Sequence, residues 1–121
     1  MIDSHTHIHH LADKGIAYPD ILNTAFQHNF FGCIDIALNT EDFSERLKIH
    51  QEFPQVKLTC GLAPEVASMK AWESRLPLLA DQTGFSSVVA LGEIGIDRHW
   101  DYGEKTSDQQ YLFQSQIELA N

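Results

Sequence analysis

Four times along the chain the same pattern recurs: a short apolar run of strand length, a polar exit, then a segment with helical periodicity. The apolar runs cover residue 1 to about 5, then 31–38, 56–62 and 87–93. The first helical segment starts at Pro19, which suits a first turn, and sets Ile21, Leu22, Ala25 and Phe26 on one face. Asn39 and Thr40 can cap the second, whose inner side is marked by Phe43, Leu47 and His50. The third either starts near Pro77 or bends there, turns Leu76, Leu79 and Ala80 inward, and ends at Gly84. Before the fourth, Ser107-Asp108-Gln109-Gln110 has capping-box spacing, and Phe113, Ile117 and Ala120 repeat on one side.

Strands alternating with helices at this rhythm predict an α/β fold with a parallel sheet. The last apolar run carries hydrophobic residues on both parities, as in a sheet covered on both sides. Four βα units are half of a TIM-type (β/α)8 barrel, which typically needs about 250 residues. The reading is therefore one domain over residues 1–121, the N-terminal half of such a barrel, with a last helix that stops abruptly at Asn121.

The charge balance, 8 − 17 = −9, argues against a protein that coats nucleic acid. It leaves room for a phosphate-bearing substrate held at a bound cation, because the ion dominates the local field. Cys33 and Cys60 sit in apolar runs without framework spacing and read as small buried residues. The N-terminus has no signal-like pattern, and no apolar run approaches membrane-spanning length; the expectation is a cytoplasmic protein without a membrane partner.

Chemistry concentrates in two places. His5 and His7 are two apart at the end of the first strand, so both imidazoles share a face and can hold one divalent ion. Asp3 has the same parity and is expected to fix a ring tautomer. Two polar histidines at a strand exit are the plain alternative. Glu93 tips the balance, since it ends the fourth apolar run and barrel function collects at the C-terminal ends of strands. Gly92 and Gly95 beside it leave room for close approach. Two imidazoles and a carboxylate suit zinc, manganese or nickel, and magnesium is compatible. Arg98 and His99 are positioned to reach a phosphate, and Trp100 to stack a base, or else the segment is a packed loop with a solvated Arg. His9 and His10 read as exposed loop residues, and His28 and His50 as helix-surface ones. Asp97 is expected to hold its loop in shape.

Met1-Ile2-Asp3-Ser4-His5-Thr6-His7, Cys60-Gly61-Leu62-Ala63-Pro64-Glu65 and Ala90-Leu91-Gly92-Glu93-Ile94-Gly95-Ile96-Asp97 together resemble the TatD-related deoxyribonuclease family. The resemblance spans the chain and implies a metal-dependent hydrolase with an amidohydrolase-like barrel. It implies that His5 and His7 hold one metal and that Glu93 bridges a pair of divalent ions. It places the catalytic carboxylate and the other ligands, two histidines and an aspartate, after later strands, beyond Asn121, so no catalytic residue is assigned here. One departure stands out: Ala63 occupies a position where the family commonly has His.

Three functions follow. The first is a phosphodiesterase or deoxyribonuclease that turns metal-activated water on DNA or a small phosphodiester. The second is a related hydrolase of a small amide or lactone, because His-x-His on a first strand is widely shared. The third is a catalytically incomplete chain that only pairs or binds metal, as a homodimer or with a complementing C-terminal half, since an open four-strand sheet leaves two edges.

Overall fold

The computed structural model describes residues 1–98 and 106–121. Its centre is a four-stranded parallel sheet in the order β1-β2-β3-β4, made of Ile2–Thr6, Gly32–Asp35, Val56–Cys60 and Val88–Leu91. Five α-helices accompany it: α1 (His10–Asp13), α2 (Tyr18–Phe26), α3 (Phe43–Glu52), α4 (Arg75–Thr83) and α5 (Thr106–Ala120). Two short 3₁₀ turns, Pro64–Ser68 and Trp72–Ser74, fill the connection from β3 to α4. All four expected strands form; the last three are shorter than their apolar runs, because the residues past each strand turn away to build the loops at the sheet's C-terminal end.

The core is divided between two clusters. One packs α2 and α3 on the sheet through Leu22, Phe43, Ile49 and Leu58, with Ile8 from the first loop. The other sets Cys60 and Leu62 against the 3₁₀ turns, α4 and α5 through Val66, Trp72, Leu79 and Leu112. Both clusters draw on β3, where Val56, Leu58 and Cys60 are fully buried. The edge strands differ: Ile2 is 69% exposed and Val89 51% exposed. The apolar run around β4 is thus covered only in part, Val88 packing on both clusters while Val89 is open, where its composition predicts cover on both sides.

Of the two alternatives at Pro77 the first holds: α4 starts near it, at Arg75, and Pro77 lies in the first turn, where its missing N–H costs nothing. Several other helix details depart from the sequence reading, each for a local reason. Gln82 is buried in place of Ala80, and its amide donates to the Thr40 carbonyl at 2.9 Å. In α3 the inward residue between Phe43 and Ile49 is Arg46, with Leu47 only half-buried. The expected capping box is absent: α5 begins at Thr106, leaving Ser107 inside the helix. Its buried face is Gln109, Leu112 and Gln116, one residue away from the expected stripe, and Ile117 is exposed. The rotation arises because the Gln116 amide satisfies both backbone groups of Leu62, at 2.7 and 2.9 Å.

Candidate metal centre

His5 and His7 reach the C-terminal end of the sheet on β1 and its exit, and Glu93 follows β4 two residues after Leu91. Two intervening strands separate them in the sheet order, yet the three side chains converge. The Glu93 Oε2 lies 3.8 Å from His5 Nε2 and 3.9 Å from His7 Nε2, and one ligand atom from each residue falls within 4.8 Å of the other two. These separations are too long for hydrogen bonds. A cation whose bonds to N and O run about 2.0–2.2 Å would span them. The donor set of two imidazoles and a carboxylate fits a divalent ion of the zinc or manganese kind.

Backbone groups at the tip of β2 hold both sides of this cluster. The His7 Nδ1–H donates to the Ile36 carbonyl at 3.1 Å, which leaves the Nε2 lone pair facing Glu93. Asp3 does not take that role. Its Oδ1 accepts the His5 backbone N–H at 3.0 Å, because the strand brings the carboxylate nearer the main chain than the ring. Glu93 is fixed from the neighbouring residue: its N–H donates to the Ala37 carbonyl at 3.0 Å. The preceding carbonyl, of Gly92, accepts from the Thr59 hydroxyl, whose oxygen in turn accepts the Ala37 N–H at 2.9 Å. Gly61 packs flat on this peptide, where a Cβ would come within 2.5 Å of the Gly92 carbonyl carbon.

Beneath the histidines lies a buried ionic network. Asp35, fully buried at the end of β2, accepts the Ile8 N–H at 2.7 Å and the Arg46 Nε–H at 2.8 Å. The other arm of Arg46 donates to the Asp35 carbonyl. Burial works against the Asp35 charge, but His9, Arg46 and the Ile8 amide overcome it and hold the carboxyl below its usual range. His9 is likewise mostly buried, with Nε2 3.3 Å from Asp42. Burial disfavours its charged ring, yet the Asp35 and Asp42 carboxylates push its pKa up to about 9. His9 is therefore a core ion partner, correcting the expectation of an exposed loop histidine. His10 opens α1, and its ring stacks on His7 with centroids 5.6 Å apart.

The remaining sequence candidates fall variously. Arg98 is exposed, and His99 and Trp100 lie outside the described residues. The Asp97 N–H donates to the Gln109 side chain at 3.0 Å, which ties the loop to α5. Ala63 is buried and gives its N–H to the Leu38 carbonyl at 2.8 Å. His28 is exposed beyond α2, whereas His50 is half-buried and donates to the Val56 carbonyl at 2.7 Å. Sequence reasoning missed Arg46 and Thr59. The only written sign of the first was Asp35, a lone acid in an apolar strand that needs a buried partner.

A run of parallel βα units with its polar groups gathered at the strands' C-terminal ends defines the first part of a TIM-type barrel of the metal-binding kind. The TatD-related DNase family model matches residues 2–121, and the chain belongs to that family. It is 22% identical over 120 residues to YabD of Bacillus subtilis strain 168, described as an uncharacterized metal-dependent hydrolase; the match takes in 99% of this chain and 46% of that protein. It also superposes on the crystal structure of YjjV, a TatD homologue from Escherichia coli K12, with a TM-score of 0.78 and 26% identity, again over 99% of this chain and 46% of the other. The chain thus spans about half the length of these relatives. The family and the half-barrel architecture expected from the sequence are both borne out. Among the described residues, no helix is long and apolar enough to cross a membrane.

Proposed function

We propose that residues 1–121 form the first half of a metal-dependent hydrolase barrel that cleaves phosphodiester bonds in DNA. The observation that carries this reading is the convergence of His5, His7 and Glu93 from opposite edges of the sheet onto a space of cation size. When bound, divalent ions (two per complete site, of the zinc, manganese, nickel or magnesium kind) would supply a water of lowered pKa and neutralise charge developing on the phosphoryl oxygens. His5 and His7 serve as neutral Nε2 donors, and the Ile36 carbonyl keeps the His7 proton on Nδ1. Glu93 presents its carboxylate to both rings and would be the third ligand from this chain. Arg98 and His99 lie close behind it in sequence and would contact the substrate phosphate. Family membership supports DNA as the substrate, and the relative named as a metal-dependent hydrolase supports the metal.

A small amide or lactone is the second reading, and one observation favours it: Ala63 brings no imidazole to the end of β3, where the family motif commonly has one. The test is a substrate panel with the full-length protein and added manganese. Cleavage of single-stranded DNA and of a nitrophenyl phosphodiester is expected, with Glu93→Gln at least ~100-fold slower, beyond the roughly 10–100-fold range of supporting residues. Hydrolysis of lactones or cyclic amides with DNA left intact would overturn the phosphodiester reading, and unchanged turnover in Glu93→Gln would overturn the site.

A further inference from the structure

The peptide that carries Glu93 is held on three sides, and one of the holders is a side chain on a strand that supplies no candidate ligand. Thr59 is buried on β3, its neighbours Leu58 and Cys60 being core residues on the opposite parity. A threonine hydroxyl has one proton to give and lone pairs to receive. Here it uses both, donating to the Gly92 carbonyl and accepting the Ala37 N–H at 2.9 Å. The Ala37 carbonyl in turn accepts the Glu93 N–H at 3.0 Å. A closed ring results, running from Ala37 through Thr59 and the Gly92–Glu93 peptide back to Ala37. Both polar groups of that peptide are satisfied, and its plane cannot rotate without breaking one of these hydrogen bonds. Gly61 closes the third side by contact.

We infer that Thr59 is a positioning residue for the metal centre. Its hydroxyl fixes the Gly92–Glu93 peptide, and with it the direction in which the Glu93 carboxylate leaves the backbone toward His5 and His7. This rests on the metal reading of those three residues and deepens it. Glu93 is itself partly exposed, so little packing holds its side chain; orientation has to come from the main chain. The neighbouring residue Ile36 orients His7 through its carbonyl. The end of β2 is therefore a common template for both halves of the site, and Thr59 is the side chain that locks the second half onto it.

The pair of variants Thr59→Val and Thr59→Ser separates the hydroxyl from the packing. Valine keeps the shape and removes the hydrogen bonds, whereas serine keeps the hydroxyl and removes a methyl group. In the full chain, titrated with manganese alone, Thr59→Val is expected to bind about 10–100-fold more weakly, as for loss of an outer partner of a ligand. Thr59→Ser is expected to stay within about threefold of wild type. In metal-free protein, amide hydrogen exchange at Ala37 and Glu93 should speed up in the valine variant and not in the serine one. Equal manganese affinity in Thr59→Val and wild type, or a serine variant as weak as the valine one, overturns the positioning role. A wild-type protein that binds no manganese, whose Ala37 and Glu93 amides still respond to Thr59→Val, upholds the hydrogen-bonded ring and overturns the metal reading alone.

Discussion

β1 and β3 are both five residues long, both parallel, and differ in nearly everything else. Val56, Leu58 and Cys60 of β3 have no exposed surface, whereas Ile2 of β1 is 69% exposed and no residue of that strand is buried. β4, at the opposite edge, resembles β1. Yet the candidate ligands sit on and beyond the edge strands, and none sits on β2 or β3. In this chain the central strands supply most of the core, and the candidate ligands come from the two edges. What joins the two is a short set of hydrogen bonds at the tip of β2: Ile36 to His7, Ala37 to Glu93, and Asp35 to the Ile8 N–H just after His7. A side chain on a poorly covered strand can be held in place if its main chain is tied to a well-covered one.

The largest effect is expected where the tie is ionic. Arg46→Ala removes the guanidinium that pairs with the buried Asp35 carboxylate, leaving His9 as the charged group beside it, and should cost about 3–5 kcal/mol in urea unfolding. It should also loosen the loop that begins at Ile8. A loss below about 1 kcal/mol would mean that Asp35 is neutral or hydrated, and the contrast between centre and edge would lose its main support. Next comes packing. In this 121-residue chain Leu58→Ala should cost about 2–5 kcal/mol. Ile2→Ala should stay within about 0.5 kcal/mol, as at other exposed positions. Similar losses at the two positions would erase the difference between β3 and β1.

Much of this was legible in the sequence, and the rest was not for identifiable reasons. The strands are legible as short apolar runs, most plainly β2 and β3, which the core covers, and Pro19 marks α2 because its ring suits a helix start. His5 and His7 were legible from their spacing of two, and Glu93 from its place after an apolar run. Parity also tied Asp3 to the histidine rings, wrongly, because a short carboxylate reaches its own backbone first. The inward faces of α3 and α5 were misjudged where polar residues were assumed to face water. Arg46 and Gln116 are buried because each meets groups that the sheet and loops leave unpaired, and such demands arise only in the folded chain. Thr59 was invisible for the same reason: its role depends on the meeting of three strand ends.

A smaller, pH-dependent effect sharpens the comparison further. The folded chain holds the Asp35 carboxyl below the ordinary value of about 3.9 for an unfolded chain. Its contribution to stability is thus complete above that value and is lost as pH falls through the lower, folded one. Urea midpoints followed downward from neutral pH should fall less steeply through the acid range in Asp35→Asn than in wild type. Parallel curves would show that Asp35 is not the group linking the tip of β2 to acid.

The central claim, that the two edge strands deliver their ligands to one shared cation, is tested most directly by anomalous diffraction from crystals of the full-length protein grown with manganese. A peak is expected that is bounded by His5 Nε2, His7 Nε2 and a Glu93 carboxylate oxygen, at about 2.0–2.3 Å from each. Saturating manganese with no peak between these three groups, in a protein folded as described, would contradict it.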